Sequence, residues 1–439
     1  MGRHEQPFVE KGTTRRSLHV GVVTHEPFWP ATGGGSSQAP FLVRALRARG
    51  HRVSLICPCA DAEERASIES RFGVDLVPFD RYRMGRRARL RSVKYLGYPF
   101  FVKRLLAGVQ AHDPMDVVLA QHSISGVGAG WFGRRSGVPV VLNYLDFLSG
   151  YLQHGLLARR PFRLFPKLLQ AFEAGMPTRF NAAAVLTISD TLADYLAARG
   201  YLASRIHPIY YGFDAERFDP DQVDPPAGME PGYVMTHGSL DDFHVSGLLL
   251  DAMSYVVARR PETRFVIVGQ GRGRYMRFRR RCEARLGSRV IFTGWVPYEE
   301  IPSYLKGAAV GMVPYPPSPG AHHTVVCKLI EYAAMGVPSV CTELEGTRRY
   351  FSGDPGIVFA PFEGAALGQE ILKLLETPFS LERPANLRVR AAQNWGALAA
   401  RVAEIVESAA AVAPDFDFDN DRTDRTDRTD RQPLPGGNA

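Results

Sequence analysis

Short unbroken apolar runs alternate along this chain with longer stretches in which apolar residues return every three or four positions. The first half carries such runs at 18–24 (LHVGVVT), 51–57 (HRVSLIC), 116–122 (DVVLAQH), 138–146 (VPVVLNYLD) and 182–189 (AAAVLTIS). Helical periodicity fills 41–49 and the DTLADYLAARG stretch after the last run. Runs without alternation are apolar on both faces, so they predict strands sandwiched between helices, hence a parallel, doubly wound sheet. A proline-rich, acidic stretch at 213–232 interrupts the rhythm and reads as a linker. A second series follows, with strands at 233–239, 263–271, 289–295, 308–315, 338–343 and 356–362 and helices at 246–259, 328–335 and 364–376. The pattern predicts the α/β class: two doubly wound, Rossmann-like domains facing a cleft into which the carboxyl ends of both sheets open.

The domain plan is a flexible N-terminus at 1–16, a first domain at 17–212, the linker, a second domain at 233–385, a C-terminal helix at 386–412 and a tail at 413–439. Three RTD units dominate that tail, alternating charge without core-forming residues, and predict disorder. A length of 439 residues agrees with two cores rather than one. With 45% hydrophobic residues, no run long enough to cross a bilayer and no secretory leader pattern, a cytoplasmic protein is expected. Five scattered cysteines, Cys57, Cys59, Cys282, Cys327 and Cys341, lack metal-site spacing and read as reduced thiols.

The net charge of +8 matters chiefly through its placement. Arg81, Arg83, Arg86, Arg87, Arg89, Arg91, Lys94, Lys103 and Arg104 follow one another with no carboxylate, interleaved with Tyr82, Tyr95, Tyr98, Phe100 and Phe101. Cations beside an apolar strip suit an anionic membrane surface, so peripheral attachment at the inner face of the cell membrane is one expectation. An amphipathic helix packed on its own domain with a solvated basic face suits the same residues. Nucleic acid is not expected as a partner, since no recognition motif accompanies the charge.

Two glycine clusters invite a dinucleotide reading. TGGGSSQAP supplies Gly33, Gly34 and Gly35 after the first strand, but Gln38 stands where the G-x-G-x-x-G fingerprint has its third glycine, and no P-loop lysine follows. The loop either holds an anion at a helix start or simply turns the chain. VGQGRGR supplies Gly269 and Gly271, with Arg274 in the third place. Neither fingerprint is complete, and no cofactor is expected. More specific is CKLIEYAAMGVPSVCTELEG, where Lys328 and Glu331 lie one turn apart at the start of a helix pointing into the cleft. A cation and a helix N-terminus there neutralise a diphosphate, while a carboxylate one turn on accepts from ribose hydroxyls. A surface ion pair between the two is the plainer alternative.

In order along the chain, Gly33 and Gly34, RGHRVSLICP, VLTISD, IYYGFDAERF, FVIVGQG, VIFTGWVPYEEIPSYLKGAAVGMVPY, KLIEYAAMGVPSV and NWGALAARVAEIV resemble the GT-B fold glycosyltransferases of the family 4 type. The resemblance implies an enzyme moving a sugar from a nucleotide diphosphate donor, UDP-sugar being expected, to a hydroxyl of a glycan or lipid-linked acceptor. It puts the donor on the second domain and the acceptor on the first. Carried over, Gly238 and Ser239 lie at the phosphates and Gly269 and Gly271 border the nucleotide. The Val296 backbone meets the base, Lys328 the diphosphate or donor sugar, and Glu331 the ribose, while Gly33, Gly34 and Gly35 wall the acceptor side.

Departures from the family pattern bear on the mechanism. Ser239 replaces the usual arginine, His244 a lysine, His323 the first glutamate of E-x7-E, and Leu145 a histidine. Phosphate neutralisation then falls to Lys328, the helix dipole, Ser239 and one of His322 and His323. Asp146, just past a strand end, suits a base for the acceptor hydroxyl, which implies inversion; a helix cap is its other reading. No Asp-x-Asp metal motif follows a cleft strand, so no metal is expected. A sugar-nucleotide epimerase and a binding protein on a degenerate transferase fold stand as alternatives.

Overall fold

The computed structural model describes residues 16–29, 34–59, 61–80, 91–151, 164–240, 247–271, 274–354, 356–376, 389 and 391–411. The first sheet is built from β1 (His19–Val23), β2 (Arg52–Cys59), β3 (Asp75–Asp80), β4 (Val117–Gln121), β5 (Val140–Tyr144), β6 (Ala184–Thr187) and β7 (Ile206–Pro208). Its spatial order is β3-β2-β1-β4-β5-β6-β7, with every neighbouring pair parallel. The helices of this half are α1 (Gly34–Ala48), α2 (Ala62–Phe72), α3 (Arg91–His112), α4 (His122–Ser136), α5 (Leu164–Arg179) and α6 (Asp190–Ala197).

A second sheet follows, from β8 (Tyr233–His237), β9 (Phe265–Val268), β10 (Val290–Gly294), β11 (Ala308–Val313), β12 (Ser339–Thr342) and β13 (Ile357–Ala360), in the order β10-β9-β8-β11-β12-β13. Its helices are α7 (Gly247–Arg259), α8 (Arg274–Leu286), α9 (Ile301–Gly307), α10 (Pro319–His322), α11 (Cys327–Ala334), α12 (Glu345–Tyr350) and α13 (Gly364–Glu376), and the chain closes with α14 (Trp395–Ala411). Both sheets reverse strand order once, between β1 and β4 and between β8 and β11. Such a reversal opens a crevice at the carboxyl ends of the strands, where connections leave in opposite directions.

The central strands are apolar on both faces because both faces are covered. β1, β4 and β5 are buried at every position. One apolar cluster packs α1, α2 and α14 against the first sheet through Leu42, Leu46, Ile68 and Val402, and another packs α3 and α4 against the opposite face through Val102, Leu106 and Ala129. In the second half a third cluster joins Met235 and Leu329 to Leu145, Ile188 and Trp395, so the two domains share buried apolar surface.

The last helix belongs spatially to the first half. Trp395, 2% exposed, stacks on Phe41 of α1 at 5.6 Å. Farther along, Arg49 grips Glu407 in a bidentate pair of 2.7 and 2.9 Å, and His51 Nε2 lies 2.9 Å from the same carboxylate. Backbone bonds from Phe213 N to Gln393 O and from Trp395 N to Phe213 O tie the crossing chain to the start of the linker region.

The pattern-based reading misplaces one element that matters for the site. It starts the first helix at 41, whereas α1 starts at Gly34 and takes in Gly35 and the following polar residues. Local propensity disfavours such a start. Packing overrides it, since Gln38, Ala39 and Pro40 are all buried. Gly33 lies outside the described residues. The elements α2, β3, α4, α5, β7 and α8, left unassigned by periodicity, fill the remaining layers.

Candidate active site

On the second domain, the site is assembled where β8, β9, β10 and β11 end and α11 begins. Gly238 follows β8 with φ 107°, and Gly269 follows β9 with φ 134°, values that side chains rarely adopt. A Cβ on Gly269 would stand 2.0 Å from Gly238 O, and one on Gly271 would stand 1.9 Å from Leu240 O. The G-x-G pair thus lets two loops pack backbone against backbone, with Gly238 and Ser239 left exposed at the mouth.

Lys328, in the first turn of α11, is 7% exposed; its Nζ donates to the Tyr315 hydroxyl at 2.6 Å and lies against Gly238. Glu331, 6% exposed, has His237 Nε2 at 2.6 Å from one carboxylate oxygen, while the Tyr298 hydroxyl donates to the other at 2.8 Å. Lys328 and Glu331 therefore do not pair with each other. Each carboxylate oxygen retains lone-pair capacity for a further donor. Burial, reinforced by the neighbouring Glu331 charge, holds the Tyr298 hydroxyl well above its ordinary pKa, so it remains a donor. Val296 is half-buried two residues before Tyr298 and packs against the second-domain core.

Across the cleft, Asp146 follows β5 and is half-buried. Burial pushes its carboxyl up to about 7; His122 opposes this, while Glu26 and Glu173 reinforce it. His122, the first residue of α4, is 3% exposed and held at φ 63°. For a residue with a Cβ that backbone costs on the order of 1–2 kcal/mol, the kind of strain that collects at functional sites. Its Nε2 lies 3.7 Å from Glu26 Oε2. Asp146 also adds to the field that raises the Cys327 thiol, burial being the main cause and Glu331 the next, so α11 and the end of β5 face each other.

Gln38 has a structural task. Only 1% exposed, it accepts from Asn143 Nδ2 at 2.7 Å, and the same amide donates to Gln121 Oε1 at 3.1 Å. A side chain that ties α1 to the end of β5, through an Asn143 amide that also reaches β4, explains why the third fingerprint position is not glycine. Gly34 and Gly35 sit in the first turn of α1; His244 lies outside the described residues. His323 is half-buried where the domains meet, its ring 4.8 Å from Tyr195 and 5.8 Å from Phe147. Its carbonyl accepts from Ser189 Oγ at 2.6 Å, and burial lowers its ring pKa. His322 turns instead toward Phe362 and the Glu345 backbone.

The structure thus brings Gly238, Gly269, Gly271, Lys328 and Glu331 together and sets Asp146 opposite, while His323, just before α11 on the second domain, packs against Phe147 and Tyr195 of the first. Periodicity and motif reading missed His237, Tyr298, Tyr315, Glu26 and His122. Tyr298 and Tyr315 both lie inside the quoted VIFTGWVPYEEIPSYLKGAAVGMVPY stretch, the one signal that could have exposed them. Among the described residues no group of three or more His, Cys, Asp and Glu could hold a metal ion.

Comparison with known proteins gives this arrangement a family. The sequence model described as "Glycosyl transferase 4-like domain" matches residues 33–212, and that described as "Glycosyl transferases group 1" matches 232–377. The chain is 26% identical to the alpha-D-kanosaminyltransferase of Streptomyces kanamyceticus over 278 residues, 61% of this chain and 67% of that one. In fold it is similar to sucrose-phosphate synthase from Thermosynechococcus elongatus, with TM-score 0.68, 17% identity and coverage of 89% and 98%. It is similar also to Anabaena HepE in complex with UDP and glucose, with TM-score 0.65, 16% identity and coverage of 89% and 100%. One family model on each sheet, in this order and around this cleft, identifies the chain as a member of the family 4-like glycosyltransferases of the GT-B fold, enzymes of the hexosyl-transferring class.

Proposed function

We propose that the enzyme transfers a sugar from a UDP-sugar to a hydroxyl of a glycan or lipid-linked acceptor held by the first domain at the cytoplasmic face of a membrane. The observation that carries the donor assignment is the buried ammonium of Lys328 beside the bare backbone of Gly238, one helical turn from Glu331. A diphosphate is neutralised by Lys328 and the N-terminus of α11, with the exposed Ser239 within the same loop mouth. Glu331, fixed by His237 and Tyr298, presents its remaining lone pairs to the ribose. Gly269, Gly271 and the Val296 backbone border the nucleotide. HepE, of the same fold, was captured with UDP and glucose, which supports a UDP-sugar here.

Asp146 takes the proton of the acceptor hydroxyl as its oxygen attacks the anomeric carbon; the bond from that carbon to the diphosphate breaks, and UDP leaves on Lys328. His323 lines the interdomain wall beside Phe147. A single displacement of this kind inverts the anomeric centre, which NMR of the product reads directly. What supports the membrane location is apolar exposure on the first domain: Phe100 and Phe101 of α3 are 65% and 41% exposed, and Leu164 and Leu168 of α5 are 69% and 68% exposed. Trp131 packs on Phe100 at 5.0 Å there, and Lys103, Arg134 and Arg135 border the same hollow. Residues 81–90, with most of the cationic run, lie outside the described residues. No helix among the described residues is long and apolar enough to cross a membrane.

Calorimetric titration of UDP and of GDP against wild type, Lys328→Ala and Glu331→Ala tests the site. At least tenfold weaker UDP binding is expected in each variant, about 1.4 kcal/mol. Unchanged affinity in both would sink the assignment.

A further inference from the structure

Asp146 does not stand alone. β1, β4 and β5 are neighbours in the first sheet, and their carboxyl ends deliver His25 with Glu26, His122, and Asp146 to one place. His122 is buried in a strained backbone conformation, with its Nε2 at ion-pair distance from Glu26. Neither of its ring nitrogens has a hydrogen-bond partner among the described residues. A buried imidazole left so is costly unless it carries charge beside a carboxylate. The remaining surroundings fix its orientation: the His25 ring stands edge-on at 4.9 Å, with Tyr98 of α3 beyond at 6.4 Å. Glu173 of α5 faces the same space, held by the Ser149 backbone N–H and hydroxyl.

Without a cation, Glu26, Asp146 and Glu173 would crowd three carboxyls into this space, and like charges at close range cannot all ionise. We infer that His122 is a positioning residue of the transfer reaction: held by Glu26, it sets a positive charge behind Asp146 and keeps that carboxylate ionised when the acceptor hydroxyl arrives. The inference rests on the assignment of Asp146 as the base. Its electrostatics agree in direction. Burial lowers the pKa of His122, yet Glu26, Asp146 and Glu173 together more than offset this, Glu26 foremost; Glu26 is in turn held below the usual carboxylate range by His122 and His25, against its own burial. Around Asp146, the charges that face it are His122, Glu26 and Glu173 from the first domain, with the Cys327 thiol opposite.

The test uses the full chain and UDP-glucose, with UDP release to water as the acceptor, followed from pH 5 to 10. His122→Gln should move the acid limb of the rate profile upward by one pH unit or more, lowering the rate about fivefold at pH 7 and hardly at all at pH 9.5. UDP affinity should not change, since His122 does not touch the donor side. Glu26→Gln should move the limb in the same direction but less, because its own repulsion of Asp146 is lost as well. Direct titration of the Asp146 carboxyl by 13C NMR, assigned by difference from Asp146→Asn, reads the same displacement without turnover.

An acid limb that persists in Asp146→Asn would overturn the base assignment itself. A limb that vanishes in Asp146→Asn yet stays put in His122→Gln would overturn this inference alone. If His122→Gln does not fold, His122→Asn carries the same test, and an unmoved carboxyl titration in it overturns the inference equally.

Discussion

At Asp146, burial and charge pull in opposite directions, and the balance predicts a trade between function and stability. With a carboxyl near 7 in the folded protein and about 3.9 in an unfolded chain, the fold holds a proton that the unfolded chain has released. Stability from this group is fully present below about pH 4 and is lost as pH rises toward 7. Asp146→Asn, which cannot ionise, should therefore raise the melting temperature at pH 8, a gain on the order of a few kcal/mol, and leave it unchanged near pH 4. The same change should remove most turnover. A variant that loses activity without gaining stability at pH 8 would show that the carboxylate is not desolvated as described. Lys328 and Glu331 differ in kind. Both are buried, yet each has a neutral or hydrogen-bonded neighbour at hand, Tyr315 for the cation and His237 with Tyr298 for the anion. Buried charges survive by such pairing.

Among the elements, α14 carries an unusual share of the assembly. It is the last described helix, yet it completes the layer over the first sheet through Ala399, Val402 and Val406, and Trp395 seals its start against Phe41. Trp395→Ala leaves a large void at the junction of linker, α1 and α14. It should cost about 3–5 kcal/mol in urea unfolding, and it should loosen the two domains together, because Trp395, Phe213 and Leu329 belong to one apolar cluster. A loss below about 1 kcal/mol would mean that the helix is not held where it is seen. The α1 helix teaches the converse. Its glycine-rich start reads as a loop, and only burial of Gln38 and its neighbours makes it helical.

For the whole molecule, the distribution of apolar and basic groups over the first domain predicts an orientation toward lipid. Vesicles with a large anionic fraction should retain the protein at low salt and release it as ionic strength rises, since exposed charges are screened within roughly 10 Å at 0.1 M. Replacing Phe100 and Phe101 by serine, or Lys103 and Arg135 by glutamate, should release it at low salt while UDP affinity holds. Vesicle retention equal to wild type in both variants would remove this face as the contact.

What the chain determined by itself is what a short stretch can encode. Strand and helix periods are local, so two doubly wound units and the Lys328–Glu331 spacing on one helical turn were legible. Ordered motifs along 33–406 were sufficient to point to the family. What only tertiary structure decided is which strand ends meet. His237 and Glu331 are 94 residues apart in sequence yet 2.6 Å apart in space, and Glu26, His122 and Asp146 follow the ends of three different strands that the sheet order sets side by side. No local period records that neighbourhood. Nor does any show that Gln38 ties α1 to the end of β5 rather than opening a phosphate loop. Burial, which turns carboxylates and imidazoles into coupled partners, exists only once the layers have closed.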